Sequence, residues 1–156
     1  MDTLLELIHE YRSLQANVDP TRASRARRMG LGSLLGSETP WEPCAATRKA
    51  DAHSIRFTVP GGFGQGEIRT LTGAGVVVST RKPPEVGARI LIRLDSPSAD
   101  RTYVFPAIVE WRGRKHFGTF GALFDGEPER VDQDPTLGLW RVPIRLSRTA
   151  SKTMVA

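Results

Sequence analysis

Apolar residues near the start of the chain recur with a helical period. In TLLELIHEYRSLQAN, Leu4, Leu7, Ile8, Tyr11 and Leu14 stand at i, i+3, i+4, i+7 and i+10 and fall on one stripe of an α-helix. Thr3 and Glu6 have the spacing of a capping box, in which each side chain satisfies a free backbone donor of the first turn. Pro20 has no amide proton and disfavours helical geometry at Asp19, so the helix is expected to stop at or before that pair. A second, shorter helix is expected in ASRARRMGLGSLL, with Met29, Leu31, Leu34 and Leu35 on its apolar side and arginines opposite, weakened by Gly30 and Gly32. The prolines and sparse apolar residues of GSETPWEPCAATRKAD read as a linker.

From about residue 54 the pattern changes to short β-rich runs between turn residues: SIRFTV, GEIRTL, GVVVST, ARILIRL, TYVFPAIVEW and FGTFGALF. Their spacing, with Gly and Pro punctuation and no helix between them, predicts an antiparallel all-β unit, a small barrel or sandwich. Ile90, Ile92 and Leu94 alternate with Arg89, Leu91 and Arg93, and Ile55, Phe57 and Val59 alternate with Ser54, Arg56 and Thr58. Pro106 predicts an edge or a bulge, because it removes one ladder hydrogen bond. An acidic group follows, Asp125, Glu127, Glu129, Asp132 and Asp134, and then TLGLWRVPIRLSR, which the pattern leaves open as an extended or a helical arm before a fraying tail. The chain therefore divides into a helical region with linker (1–47), a β-unit (48–126) and a C-terminal arm (127–156).

Composition narrows the chemistry. At 156 residues and 17.2 kDa, with 39% hydrophobic and 25% charged residues, the chain suits one domain with decorated ends. No window approaches the roughly 18 apolar residues of a membrane span, and Asp2, Glu6 and Glu10 stand where a secretory leader would be basic, so a soluble, unexported protein is expected. A lone Cys44 can form no internal disulfide and no thiolate metal cluster. His9, His53 and His116 share no motif spacing, so neither an enzyme nor a metal site is expected. The glycines of GGFGQG and GAG match no phosphate-loop pattern; at Gly75 the need is either a positive φ or close approach of another backbone or a ligand. The net charge of +5 is compatible with an anionic partner, and Arg22, Arg25, Arg27 and Arg28 form an acid-free cluster. Nucleic acid is disfavoured as that partner, since Phe57, Phe105, Trp111, Phe117, Phe120 and Phe124 fall where a barrel core wants them.

The order of these pieces resembles the PilZ domain family between about Arg48 and Gly126. The resemblance rests on SIRFTV, the turn PGGFGQ, EIRTLTGAGVVVST at the place of a (D/N)xSxxG run, KPPEVGARILIRL, AIVEW and GALF. It implies a mainly β fold, a six-stranded antiparallel barrel, here with an N-terminal amphipathic helix, in a bacterial cytoplasmic regulator that needs no cofactor. Many members of the family are receptors for cyclic di-GMP. They grip it with an RxxxR segment ahead of the first strand and with the (D/N)xSxxG strand end, where guanidinium forks match phosphate and guanine edges. The positions that correspond here are Arg48, Lys49, Thr70, Thr72 and Gly75, with Arg22, Arg25, Arg27 and Arg28 available for recruitment. Thr70 replaces the acidic or amide residue, and Ala52 stands four after Arg48, so the RxxxR pair is broken. Two or three lost charge-assisted contacts weaken binding by roughly 10²-fold to 10⁵-fold. The expectation is a regulatory adaptor in motility or surface behaviour with a degenerate cyclic di-GMP site. It would act through protein contacts made by the Leu4, Leu7, Ile8, Tyr11 and Leu14 stripe, on a partner or a second copy, unless that stripe packs on its own barrel. The alternative is a working cyclic di-GMP receptor with a non-standard site.

Overall fold

Alternation of branched or aromatic residues with polar ones gives each strand one face to bury, and six such strands bury it together by closing on themselves. The structure, a computed structural model, describes residues 2–35, 53–96, 101–113 and 118–132. Its strands are β1 (Ser54–Val59), β2 (Gly62–Leu71), β3 (Gly75–Ser79), β4 (Arg89–Asp95), β5 (Arg101–Arg112), β6 (Thr119–Phe124) and β7 (Glu129–Asp132). The hydrogen-bonded order β4-β1-β2-β3-β6-β5, with β5 pairing back to β4, makes a closed antiparallel six-stranded barrel. This is the architecture that the PilZ resemblance implies. Ile55, Phe57, Ile90, Ile92 and Leu94 point into the core, as their alternation predicts.

A seventh strand was not foreseen. β7 lies within the acidic group and pairs with Arg101–Val104 of β5, on the side where β6 pairs with Ala107–Arg112. Pro106 falls between the two partners. Its carbonyl accepts from Asp125 N at 2.8 Å, so its missing N–H faces the same interrupted stretch of ladder and no strand pairing is forfeited. The proline marks the place where β5 changes neighbours, within a strand paired on both sides.

Two helices precede the barrel: α1 (Asp2–Ala16) and α2 (Arg22–Leu35). The first ends before Pro20 as expected, and Thr21 caps the second by accepting from Ser24 N at 3.2 Å. Thr3 lies inside α1, so the predicted capping box gives way to a longer helix, and Glu6 turns instead to the barrel. Leu5, absent from the predicted stripe, is fully buried with Ile8 and Tyr11, while Leu4, Leu7 and Leu14 are partly buried and pack on the same core. In α2, Leu31 and Leu35 are buried, whereas Met29 (71% exposed) and Leu34 (63%) face outward, contrary to their predicted place on the apolar side. The run of prolines and glycines around Trp41 and Cys44, the segment with His116 and Phe117, and the residues after Asp132 lie outside the described residues.

Gly75 shows which of its two alternatives applies. It has no positive φ, and a Cβ there would collide with the carbonyl oxygen of Ala122 on β6. Gly75→Ala is therefore expected to destabilise the protein by about 1–3 kcal/mol in urea unfolding, because the obstructing atom is backbone. Gly30→Ala, at an exposed helical position with nothing within 4 Å, is expected to stabilise it by about 0.5–1 kcal/mol.

Candidate functional site

The turn between β2 and β3 holds the residues at the place of the family's second motif. Thr72 Oγ1 accepts from Ala74 N at 3.2 Å and Gly75 N at 3.3 Å, Thr72 N donates to Gly75 O at 3.0 Å, and Gly73 N donates to Leu35 O at 3.2 Å. All four amides of the turn, and the hydroxyl that accepts from two of them, are thus committed inside the protein. A Cβ on Gly73 would stand 3.0 Å from Leu35 Cβ and 3.2 Å from the Tyr11 ring, so the helix pair sits directly on the turn. Thr72 is buried and Thr70 half-buried, the latter opposite Val77 on β3.

The helices are held in that position by a polar cluster on the barrel wall. Glu6 accepts from the Tyr103 hydroxyl, from Arg130 Nη1 at 2.8 Å and from Arg101 Nη1 at 3.4 Å. The Tyr103 hydrogen bond is the main reason the Glu6 carboxyl titrates below its ordinary range, with Arg130 and Arg101 adding to it against partial burial. Tyr103 is pushed up, first by burial and then by Glu6. His9 packs on the Tyr103 ring at 5.8 Å between centroids, and burial lowers its pKa. Arg12 Nη2 donates to Phe124 O at 2.7 Å, Ser96 Oγ to Asp2 at 2.6 Å, and Arg27 bridges to Glu10 at 2.8 Å across the helix pair.

The structure does not gather the residues singled out from the sequence. Arg48 and Lys49 lie outside the described residues. Arg22, Arg25, Arg27 and Arg28 lie in the N-terminal half of α2, roughly 10–20 Å along the axis from Leu35, the residue that meets the turn. Arg27 is committed to Glu10. Leu4, Leu7, Ile8, Tyr11 and Leu14 pack on the chain's own core, the second of the two readings open for that stripe. Among the described residues, no group of three His, Cys, Asp or Glu side chains could hold a metal ion, and no helix is long and apolar enough to cross a membrane.

A different surface emerges on the outside of β4, β1 and β2. An open groove of about 1200 Å³ is lined by Arg56, Arg69, Arg81, Lys82 and Arg93, by Glu67, Glu85 and Asp95, and by an apolar end that includes Val59, Pro60, Phe63 and Pro83. Arg56 and Arg93 are direct cross-strand partners, an arrangement that costs stability because like charges face each other. Partial burial lowers the Arg93 pKa; Asp95, 3.6 Å away, offsets part of that effect and Arg56 adds to it. Glu85 is paired with Arg112 at 3.0 Å. The alternation in the sequence already turned Arg56 and Arg93 outward. Their juxtaposition depends on the β1–β4 pairing that closes the barrel, and nothing local encodes that pairing.

No protein-family model and no curated protein matches the chain. Among solved structures, that of K. pneumonia MrkH in its apo state aligns over 56% of this chain and 38% of its own, at 15% identity and a TM-score of 0.43. This chain thus spans well under half of that protein.

The cluster at α1 makes stability depend on pH. The folded-state pKa of His9 lies below its ordinary value of 6.5, so the unfolded chain takes up a proton first and stability falls as pH drops from about 6.5 through the lower folded value. Glu6, also lowered, extends the loss in the same direction below pH 4.5. Denaturant titrations between pH 8 and pH 5 are expected to show the first part of this loss in the native protein and a flatter profile in His9→Phe.

Proposed function

We propose that this protein is a non-catalytic regulatory adaptor of PilZ-like architecture, in which the place that grips cyclic di-GMP in the family has become a structural joint. It would act in bacterial signalling, in motility or surface behaviour, through contacts with other proteins in the cytoplasm. The order of sequence motifs and the closed six-stranded barrel support the family reading. The observation that carries the degenerate-site reading is the state of the β2–β3 turn: its amides and the Thr72 hydroxyl are engaged internally, and the α1–α2 pair stands on it. A ligand reaching for those donors would have to displace Leu35 and Tyr11 from the core and leave Leu35 O without its donor. Each charge-assisted contact that cannot form removes on the order of 1.5–3 kcal/mol.

Calorimetric titration with cyclic di-GMP tests this reading. Dissociation constants no tighter than about 100 μM are expected, equivalent to roughly 5.5 kcal/mol of binding free energy. Binding at about 10 μM or tighter, lost in Arg48→Ala, would establish the alternative of a working receptor with a non-standard site.

A further inference from the structure

The outer groove of β4, β1 and β2 carries an unbalanced charge. Among the described residues, Arg56, Arg69, Arg81 and Lys82 have no ion-pair partner and Glu67 is the lining acid in the same condition, since Glu85 pairs with Arg112 and Asp95 with Arg93. The barrel also keeps Arg56 opposite Arg93, where a neutral residue would remove a repulsion. Beside the cations lies an apolar end, and Phe63 is 75% exposed there. A surface of this kind is complementary to a chain that carries carboxylates and an apolar side chain together, because guanidinium forks pair bidentately with carboxylates.

Its dimensions favour a protein segment over a small molecule. The groove, at about 1200 Å³, is open and larger than the roughly 300–1000 Å³ of enclosed ligand pockets, and it follows β2 from Phe63 to Arg69, roughly 20 Å. Nucleic acid would call for rings on which bases stack, and Phe63 is the one aromatic side chain in the lining. A second copy of the chain is the poorer occupant: six of its described acids, Glu6, Glu10, Glu85, Asp95, Asp125 and Asp132, are already ion-paired, and its net charge of +5 sets like charge against a cationic face.

We propose that this groove docks an acidic segment of a partner protein, its carboxylates on Arg56 and Arg69 and an apolar side chain against Phe63. The proposal names the contact surface for the adaptor role proposed above, and rests on that role only for the claim that the partner is a protein.

Fluorescence anisotropy of a labelled peptide alternating Glu with Leu and Phe, titrated with the full chain, tests it. The acidic peptide is expected to bind with an affinity that falls as salt rises, and a version with Lys in place of Glu is expected not to bind. Arg56→Gln and Arg69→Gln are each expected to weaken binding by about tenfold, and Arg56→Gln also to raise the thermal unfolding midpoint by relieving the opposed charges. Arg89→Gln, on β4 but outside the groove, should leave affinity unchanged. Absence of binding to the acidic peptide, or an equal loss in all three variants, would overturn the proposal. So would displacement of the peptide by oligothymidylate or by cyclic di-GMP at comparable concentration. Cyclic di-GMP that binds without displacing the peptide would instead refute the degenerate turn and leave the docking groove intact.

Discussion

A buried backbone N–H without an acceptor costs about 1–3 kcal/mol, and the turn from β2 to β3 presents four of them in succession. Thr72 and Gly75 satisfy three from within the turn, through one side-chain oxygen and one carbonyl. The fourth, on Gly73, needs Leu35 O, which lies at the far end of α2. Much else follows from delivering that carbonyl. Leu31 and Leu35 must be buried, α2 must be held to α1 through Glu10 and Arg27, and α1 must be fixed to the wall through Leu5, Ile8 and the cluster around Glu6 and Tyr103. Gly73 itself must lack a Cβ for Tyr11 and Leu35 to come so near. The same requirement commits the turn's donors inside the fold.

Much of this was legible in the chain and some was not, for identifiable reasons. β-rich runs between turn residues revealed the six barrel strands, with period-two alternation visible in β1 and β4, and period 3.6 revealed α1; the run PGGFGQ, read as a turn, is mostly strand, since β2 begins at Gly62 and pairs with β1 from there. Gly75 was legible as a constrained position, though which constraint applied required seeing Ala122 of β6 beside it. Leu5 was missed because the helix buries a slightly rotated face against the barrel, and that rotation is set by tertiary contacts. β7 was missed because its residues, Glu129 to Asp132, are mostly charged and short; it forms by pairing with β5, with no apolar pattern of its own. The candidate ligand residues at Thr72 and Gly75 were read from motif position, yet the structure gives both a use in the barrel and the turn.

The stripe of α1 is spent on the core, so the helix is a fastener. Arg56, Arg69, Arg81 and Lys82 on the β4–β1–β2 face have no ion-pair partner among the described residues, and Arg56 lies opposite Arg93 on the neighbouring strand. Stability alone would favour a neutral residue at Arg56. On the docking proposal, that cost is offset when an anionic group arrives, with Phe63 beside it to orient the group.

Hydrogen exchange at the turn amides addresses the central claim most directly, because exchange reports whether a donor is held in the fold or free to open. If the helix pair closes the turn, the Gly73, Ala74 and Gly75 amides should exchange as slowly as those of Val76 and Val78 in β3, and adding cyclic di-GMP should leave their rates unchanged. Fast exchange at Gly73 to Gly75, with protection appearing only when the dinucleotide is added, would contradict the account.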